Sequence, residues 1–285
     1  MPPTSASVDM TPMLRPERTA LLELLRGMSA DEWQRPTECP AWNAKGIALH
    51  ILGDDLSLLT RQRDASTNSL ILFAEDHPGS SFRALLDGFN EQWVAASRFL
   101  SNELAIEMLR LVGDWSEAFY CDVGLDTTSG EPVGLFAETE PSPYWQVIAR
   151  EYVERFIHQS QIRRAVGAPE LGGELATSAA MVIAHVLAAW MLDYAPAAGS
   201  AIAVDFGAVG AWTWEREADR WVVLDGSADR ATTARIAVSP ADAIAMLSRG
   251  VAQDDVVALL VISGDATLAS GAIDVIAPLL GRPAS

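Results

Sequence analysis

The chain has 285 residues, of which 49% are hydrophobic and 20% charged, a composition typical of a globular protein with one large domain or two ordinary ones. Its 38 acidic residues outnumber its 20 basic residues, and the net charge of −18 has the wrong sign for a nucleic-acid-binding surface. Two cysteines, Cys39 and Cys121, and no signal-peptide pattern at the N-terminus indicate a reducing compartment. We therefore expect a cytoplasmic protein that binds neither nucleic acid nor membranes.

The N-terminal segment begins without periodicity, and we expect residues 1–10 to be flexible. From Arg15 an apolar stripe of leucines predicts a first helix that ends at Gly27. Ser29 and Glu32 have the spacing of a capping box and predict a short helical turn.

Three further helices are predicted in the N-terminal region. The two prolines of residues 35–42 exclude a helix and predict a loop that ends at Trp42. Asn43 is the expected N-cap of a second helix, which runs through His50 to about Arg63. The other predicted elements are a third helix over 80–101, a loop or short strand over 122–143, and a fourth helix over 143–167.

The pattern changes after Gly167, where an apolar helix over 175–193 precedes short β-branched runs. The predicted strands are 201–206, 211–214, 221–224, 233–238 and 256–262, and further helices begin after Ser239 and Asp265. The sequence thus predicts an α+β protein with a helical domain over 11–168 and a smaller α+β domain over 173–285.

Four histidines are the main candidates for chemistry. His77 lies in a polar segment and is expected to be solvated, whereas His185 lies in an apolar helix and is expected to be buried and hydrogen-bonded. Neither predicts a functional site.

Glu154 and His158 stand four residues apart on a predicted helix, so their side chains share one face. This spacing is also typical of an ordinary surface pair. Apolar neighbours place the pair near the helical interior, where a carboxylate requires a cation. His50, on an apolar stretch of the second helix, is the expected third donor. His50, Glu154 and His158 together are a possible ligand set for a divalent metal with one open position; the alternative is three unrelated polar residues of the core.

Other candidates receive structural interpretations. Asp54 shares the predicted helix face of His50. It is interpreted as a competing ligand, as a hydrogen-bond acceptor for a ligand or as a solvated residue. Trp42, Trp93 and Trp145 are expected to anchor the core. Cys39 has no evident cationic neighbour and is interpreted as structural.

Two motifs carry a resemblance to a known family. Cys-Pro-Ala-Trp at 39–42, followed eight residues later by His50, and the stretch from Glu154 to Gly167 resemble the mycothiol-dependent maleylpyruvate isomerase family. That family belongs to the DinB-like metal-binding four-helix bundles. Runs at 214–225 and 261–269 resemble its sterol-carrier-like C-terminal module.

The resemblance implies a zinc ion, or another divalent metal, held by His50, Glu154 and His158, with mycothiol supplying sulfur at the open position. The thiolate would attack a small electrophile, in a cis–trans isomerisation like that of the isomerases or in an S-transfer. Mycothiol implies an actinobacterial source, which agrees with the single lysine, Lys45, since lysine codons are poor in G and C. A monomer or a homodimer is expected.

The sequence departs from the family at several positions. Gly46 and Gln161 stand where aspartates are common in the family. The isomerases also use a C-terminal arginine on the substrate, and none of Arg230, Arg235, Arg249 and Arg282 matches it. Maleylpyruvate is therefore not assigned as the substrate. Two alternatives remain: a non-catalytic protein of the same fold that binds a metal or ligand or regulates a partner, and a metal-dependent hydrolase that uses metal-bound water.

Overall fold

The structure is a computed structural model and describes residues 7–67, 69–131, 135–136, 141–191, 194–226 and 232–282. A mostly helical N-terminal region precedes a small mixed sheet, which confirms the predicted α+β class. By its internal contacts the chain divides into two compact units. The helical unit comprises Thr11–Gly124 and His158–Pro169, and the sheet unit comprises Met1–Met10, Leu125–Ile157 and Glu170–Ser285. The boundaries 11–168 and 173–285 stay a prediction.

Local signals in the sequence set the ends of several helices. Asn43 caps the second helix, and its side chain accepts from the Gly46 N–H. The Ser29 N–H donates to Glu32 Oε2 at 2.8 Å in the predicted capping box, ahead of a short 3₁₀ turn. The helices of the N-terminal region are α1 (Thr11–Gly27), α2 (Ala44–Leu58, extended by a π turn over Leu59–Arg63), α3 (Ser69–Glu75), α4 (Phe82–Ser97), α5 (Asn102–Asp122) and α6 (Tyr144–Val166).

The core of the helical unit is one apolar cluster to which four helices contribute. Burying such a stripe on each helix stabilises the unit, at roughly 1.5–3 kcal/mol for each large side chain. The buried members from α1 are Leu21, Leu22 and Leu25, those from α2 include Ile47, Ile51 and Leu52, those from α5 are Leu109 and Val112, and Ile162 comes from α6.

The third bundle helix differs from the prediction. The predicted helix over 80–101 exists as the shorter α4, but α5, which the sequence did not suggest, supplies the core residues Leu109 and Val112. The periodicity of α5 is obscured because it carries large apolar side chains on its outer face as well. Leu104, Leu111 and Trp115 are 44%, 41% and 45% exposed.

The sheet unit contains a five-stranded sheet in the order β3-β2-β1-β4-β5, in which β1 and β4 are parallel and the other neighbours antiparallel. Trp214 is fully buried, and its indole N–H donates to the Ala184 carbonyl of the helix packed on the sheet. The elements are α7 (Gly173–Trp190), β1 (Ala201–Asp205), β2 (Ala211–Arg216), β3 (Trp221–Asp225), β4 (Ala234–Ala237), α8 (Pro240–Leu247), α9 (Gln253–Val256), β5 (Val261–Gly264) and α10 (Ala266–Leu280).

The last predicted strand was placed too early. Residues 256–262 were expected to be extended, but Val256 ends α9 and a 3₁₀ turn follows over Val257–Leu259 before β5 begins at Val261. A continuous apolar run cannot distinguish a strand from a helical turn, and Asp254 and Asp255 in the first turn of α9 favour the helix.

Helix α7 is the one helix of the described chain that is long and apolar enough to cross a membrane, with a mean hydropathy of 1.3. Because 61% of it is buried inside the protein, the same composition also fits a core helix. His185 lies on its half-buried side, 6.4 Å from the Trp145 ring centre, and burial lowers the pKa of His185 to about 4.

We expect Asn43→Ala to destabilise the protein by about 1 kcal/mol, because the Gly46 N–H loses its acceptor. Asn43→Asp keeps an acceptor oxygen and should stay within a few tenths of a kcal/mol of the wild type. Urea denaturation followed by circular dichroism measures the difference, and equal losses in both variants would contradict the capping role.

His185 should make stability depend on pH. Its pKa is lower in the folded protein than the usual 6.5, so the unfolded chain binds a proton first. This contribution is complete above pH 6.5 and is lost as the pH falls from 6.5 towards 4, by up to about 3 kcal/mol. The free energy of unfolding at pH 7, 6 and 5 should therefore fall less steeply in His185→Gln. Parallel curves for both proteins would show that the ring does not contribute.

Candidate metal centre

Two of the three predicted ligands meet within the helical unit. His50 on α2 and His158 on α6 are both half-buried, and their ring centres lie 4.8 Å apart with the planes nearly perpendicular, at 86°. Each residue shares its helix with members of the common apolar core. Helix packing thus brings two nitrogen donors from distant parts of the sequence together.

The orientation of His158 is set by a residue on the same helix. Its Nδ1 lies 2.9 Å from Oε1 of Gln161, three residues later. Because an amide oxygen only accepts, Nδ1 is the donor in this contact. A histidine that binds a metal commonly donates its other ring N–H to an oxygen in this way. Gln161 therefore provides an uncharged acceptor of the same kind.

The proline-containing loop places Trp42 over His50. The two ring centres are 4.7 Å apart and the planes are inclined by 29°, a stacked contact. Thr37 stabilises the loop, since its hydroxyl donates to the Trp42 carbonyl at 2.7 Å and accepts from the Cys39 N–H. Glu38 pairs with Arg164 of α6 at 2.6 Å. Trp42 also packs on the core cluster as predicted, but the sequence did not indicate that it covers His50.

The separation of the two histidine rings is close to that expected in a zinc site. Two imidazoles bound to one zinc at about 2.0–2.1 Å, with a tetrahedral angle between them, have ring centres about 5 Å apart. The observed separation of 4.8 Å is close to this value. Among the residues that the structure describes, however, no group of three His, Cys, Asp or Glu side chains is placed to hold one ion.

Glu154 is half-buried on α6, one helical turn before His158. As the third ligand it stays a prediction, and so does Asp54, which is half-buried on α2.

The Cys39 thiol lies half-buried beside the same core cluster. Burial raises its pKa, and the negative charges of Asp87 and Glu91 raise it further. The thiol is therefore held in its protonated, unreactive form, which agrees with its structural interpretation.

The other candidate residues, His77 and the C-terminal arginines, have structural contacts of their own. His77 is exposed and stacks on Phe73, and its ring N–H donates to the Phe73 carbonyl. Of the C-terminal arginines, Arg235 pairs with Asp205, and Arg282 is half-buried and forms a β-bridge with Ala252. Arg230 lies outside the described residues.

The sequence profile of the mycothiol maleylpyruvate isomerase N-terminal domain matches residues 14–163, more than half of the chain. The chain belongs to this family. Two solved structures are similar to it, those of the mycothiol-dependent maleylpyruvate isomerase and of a histidine-to-alanine variant. Each is 12% identical over 84% of this chain and 87% of the other, with TM-scores of 0.47 and 0.46. A search of curated proteins finds no match.

Removing the Gln161 acceptor should change the protonation site of His158. In Gln161→Leu we expect the ratio of the Nδ1–H to the Nε2–H form to fall about fivefold, since one hydrogen bond of about 1 kcal/mol is lost. Gln161→Glu keeps an acceptor and should retain the Nδ1–H form. Ring ¹⁵N chemical shifts of the metal-free protein measure this ratio, and unchanged shifts in the leucine variant would refute the assigned role.

Proposed function

We propose that the protein is a mycothiol-dependent enzyme in which a thiolate attacks a small, electron-poor substrate. His50, Glu154 and His158 hold a divalent metal, for which zinc is the expected ion. The observation that carries the proposal is the approach of the His50 and His158 ring centres to 4.8 Å, and the contact of His158 Nδ1 with Gln161 supports it. Membership in the family supports the dependence on the thiol.

The chemistry that a bound metal supplies here is a lowered pKa of the thiol, so that the nucleophilic thiolate exists at neutral pH. The protein residues prepare the site for it. Gln161 keeps the Nδ1 proton of His158 and so directs its Nε2 to the site. Trp42 covers one face of His50 and keeps water from that side.

The state of Cys39 supports an external thiol as the nucleophile. It lies in the loop that carries Trp42, but its raised pKa keeps the sulfur protonated. An internal thiol in this state is a poor nucleophile at neutral pH. Cys39 is therefore not proposed as the nucleophile, and family membership is what supports mycothiol as the source of the sulfur.

Addition of the thiolate accounts for both reactions considered for this protein. The sulfur forms a bond to an electron-poor carbon, and the electron pair of a conjugated cis double bond moves onto the neighbouring carbonyl. After rotation about the resulting single bond, the pair returns, the C–S bond breaks and the trans isomer leaves with the thiolate restored. If the adduct instead takes up a proton and leaves, the reaction is an S-transfer.

Metal content is the first test. Purified protein is expected to bind about one zinc or cobalt ion per chain, and His50→Ala, His158→Ala and Glu154→Ala should each reduce metal affinity at least tenfold. Asp54→Ala, from the same helix as His50, tests the competing ligand, and a loss of affinity equal to that in Glu154→Ala would place Asp54 at the metal. Metal analysis after dialysis and competition with a chelator measure this. Wild-type protein without affinity for divalent metals would refute the proposal.

The thiol dependence has a separate test in the cobalt-loaded protein. Mycothiol should add a sulfur-to-cobalt charge-transfer band, and mass spectrometry with small conjugated electrophiles should find either an isomerised product or a mycothiol adduct. A metal-dependent hydrolase would cleave substrates without thiol and show no such band. A non-catalytic protein would bind the metal and give no product with either.

A further inference from the structure

A glycine on α2 creates the space that Trp42 occupies. A Cβ atom at Gly46 would lie 2.8 Å from Cβ and 3.2 Å from Cγ of Trp42, and these atoms are close to the backbone and cannot move away freely. Gly46 is buried in the first turn of the helix, where glycine is a poor helix former. Its absent side chain is therefore what allows the indole to approach the helix.

Trp42 is restrained at its backbone and at its indole ring. The Trp42 carbonyl accepts from the Thr37 hydroxyl at 2.7 Å, and the indole N–H donates to Oε2 of Glu91 on α4 at 2.8 Å. Glu91 is exposed, so water competes for this second bond. The packing against Gly46 and the core then fixes the indole more firmly than Glu91 does.

This arrangement limits how the His50 ring can turn. The indole stacks on one face of the imidazole at 4.7 Å, and the His158 ring lies at 4.8 Å with its plane perpendicular. Rotating His50 out of its present plane would drive an edge of the ring into the indole. Trp42 thus acts on His50, without needing any contact with a substrate.

We propose that Trp42, in the space left by Gly46, is a positioning residue that fixes the ring plane of His50 and thereby sets the metal affinity of the site. The part of this inference that concerns metal affinity rests on the proposed function. The part that concerns the His50 ring rests on the geometry of the metal-free protein. Loss of a residue that orients a ligand typically reduces metal affinity 10- to 100-fold.

The control for the packing of Trp42 is a second tryptophan of the chain, which lies on α4. Trp93 packs against Gly53 of the same helix α2, where an added Cβ would lie 2.3 Å from its ring, and its N–H donates to the Leu49 carbonyl. Gly46→Ala and Gly53→Ala therefore each add a methyl group to α2, and each methyl group would clash with an indole packed against that helix. Only the first displaces the indole that stacks on His50.

The experiment compares these variants by cobalt and zinc affinity and by the ring proton shifts of His50 in metal-free protein. Trp42→Ala and Gly46→Ala should each lose 10- to 100-fold in affinity and shift the His50 resonances, since the ring current of the indole is removed. Trp42→Phe keeps an aromatic face and should stay within about threefold. Gly53→Ala should leave both readouts close to wild type, and circular dichroism checks that each variant is folded.

Three results would overturn the proposal: full affinity in folded Trp42→Ala, unchanged His50 resonances in that variant, or equal losses in Gly46→Ala and Gly53→Ala. If Gly46→Ala does not fold, the comparison of Trp42→Ala with Trp42→Phe decides. If wild-type protein binds no metal, the proposed function is wrong, and the metal-affinity part of this proposal is wrong with it. Nuclear Overhauser contacts between the His50 and His158 rings in the metal-free protein, kept in the wild type and lost in Trp42→Ala, then still show whether Trp42 fixes the ring.

Discussion

The close approach of His50 and His158 is the constraint on which the site depends, and the contact between the rings is too weak to maintain it. An edge-to-face aromatic pair contributes about 0.5–1.5 kcal/mol, which is similar to the entropy lost when the two side chains are fixed. Packing of the helices that carry the two rings also contributes to the approach. Ile47 and Ile51 beside His50, and Ile162 one turn after His158, all belong to the same apolar cluster. The core that folds the helical unit also sets the distance between the donors.

The parts of the fold that the sequence predicted are those with a local physical cause. The Asn43 cap, the capping box at Ser29 and the helix cap at Asp265 each satisfy backbone donors within a few residues, so their signals need no knowledge of the rest of the chain. Helix α5 was not predicted because its apolar residues lie on two faces, as the exposure of Trp115 shows, and only the packed structure identifies the buried one.

The site could be predicted in part for the same reason. The four-residue spacing of Glu154 and His158 is a local property of a helix, whereas the pairing of His158 with His50 was inferred from apolar surroundings and from the family resemblance. The stacking of Trp42 on His50 could not be read from the sequence. It depends on the course of a loop held by Thr37 and on the space left at Gly46, which are tertiary contacts.

Gln161 accepts the hydrogen bond from His158 without carrying a charge. A carboxylate hydrogen-bonded to His158 would orient the ring more strongly than the amide does, since charge-assisted hydrogen bonds are about twice as strong. It would also repel an incoming thiolate. At a separation of about 5 Å and an effective dielectric constant of about 20, one additional negative charge costs about 3 kcal/mol. In the proposed reaction, the neutral acceptor would orient the ring less strongly than a carboxylate but would favour an anionic nucleophile in a chain of net charge −18. The packing of Trp42 on the other histidine offsets that loss by fixing its ring without adding charge.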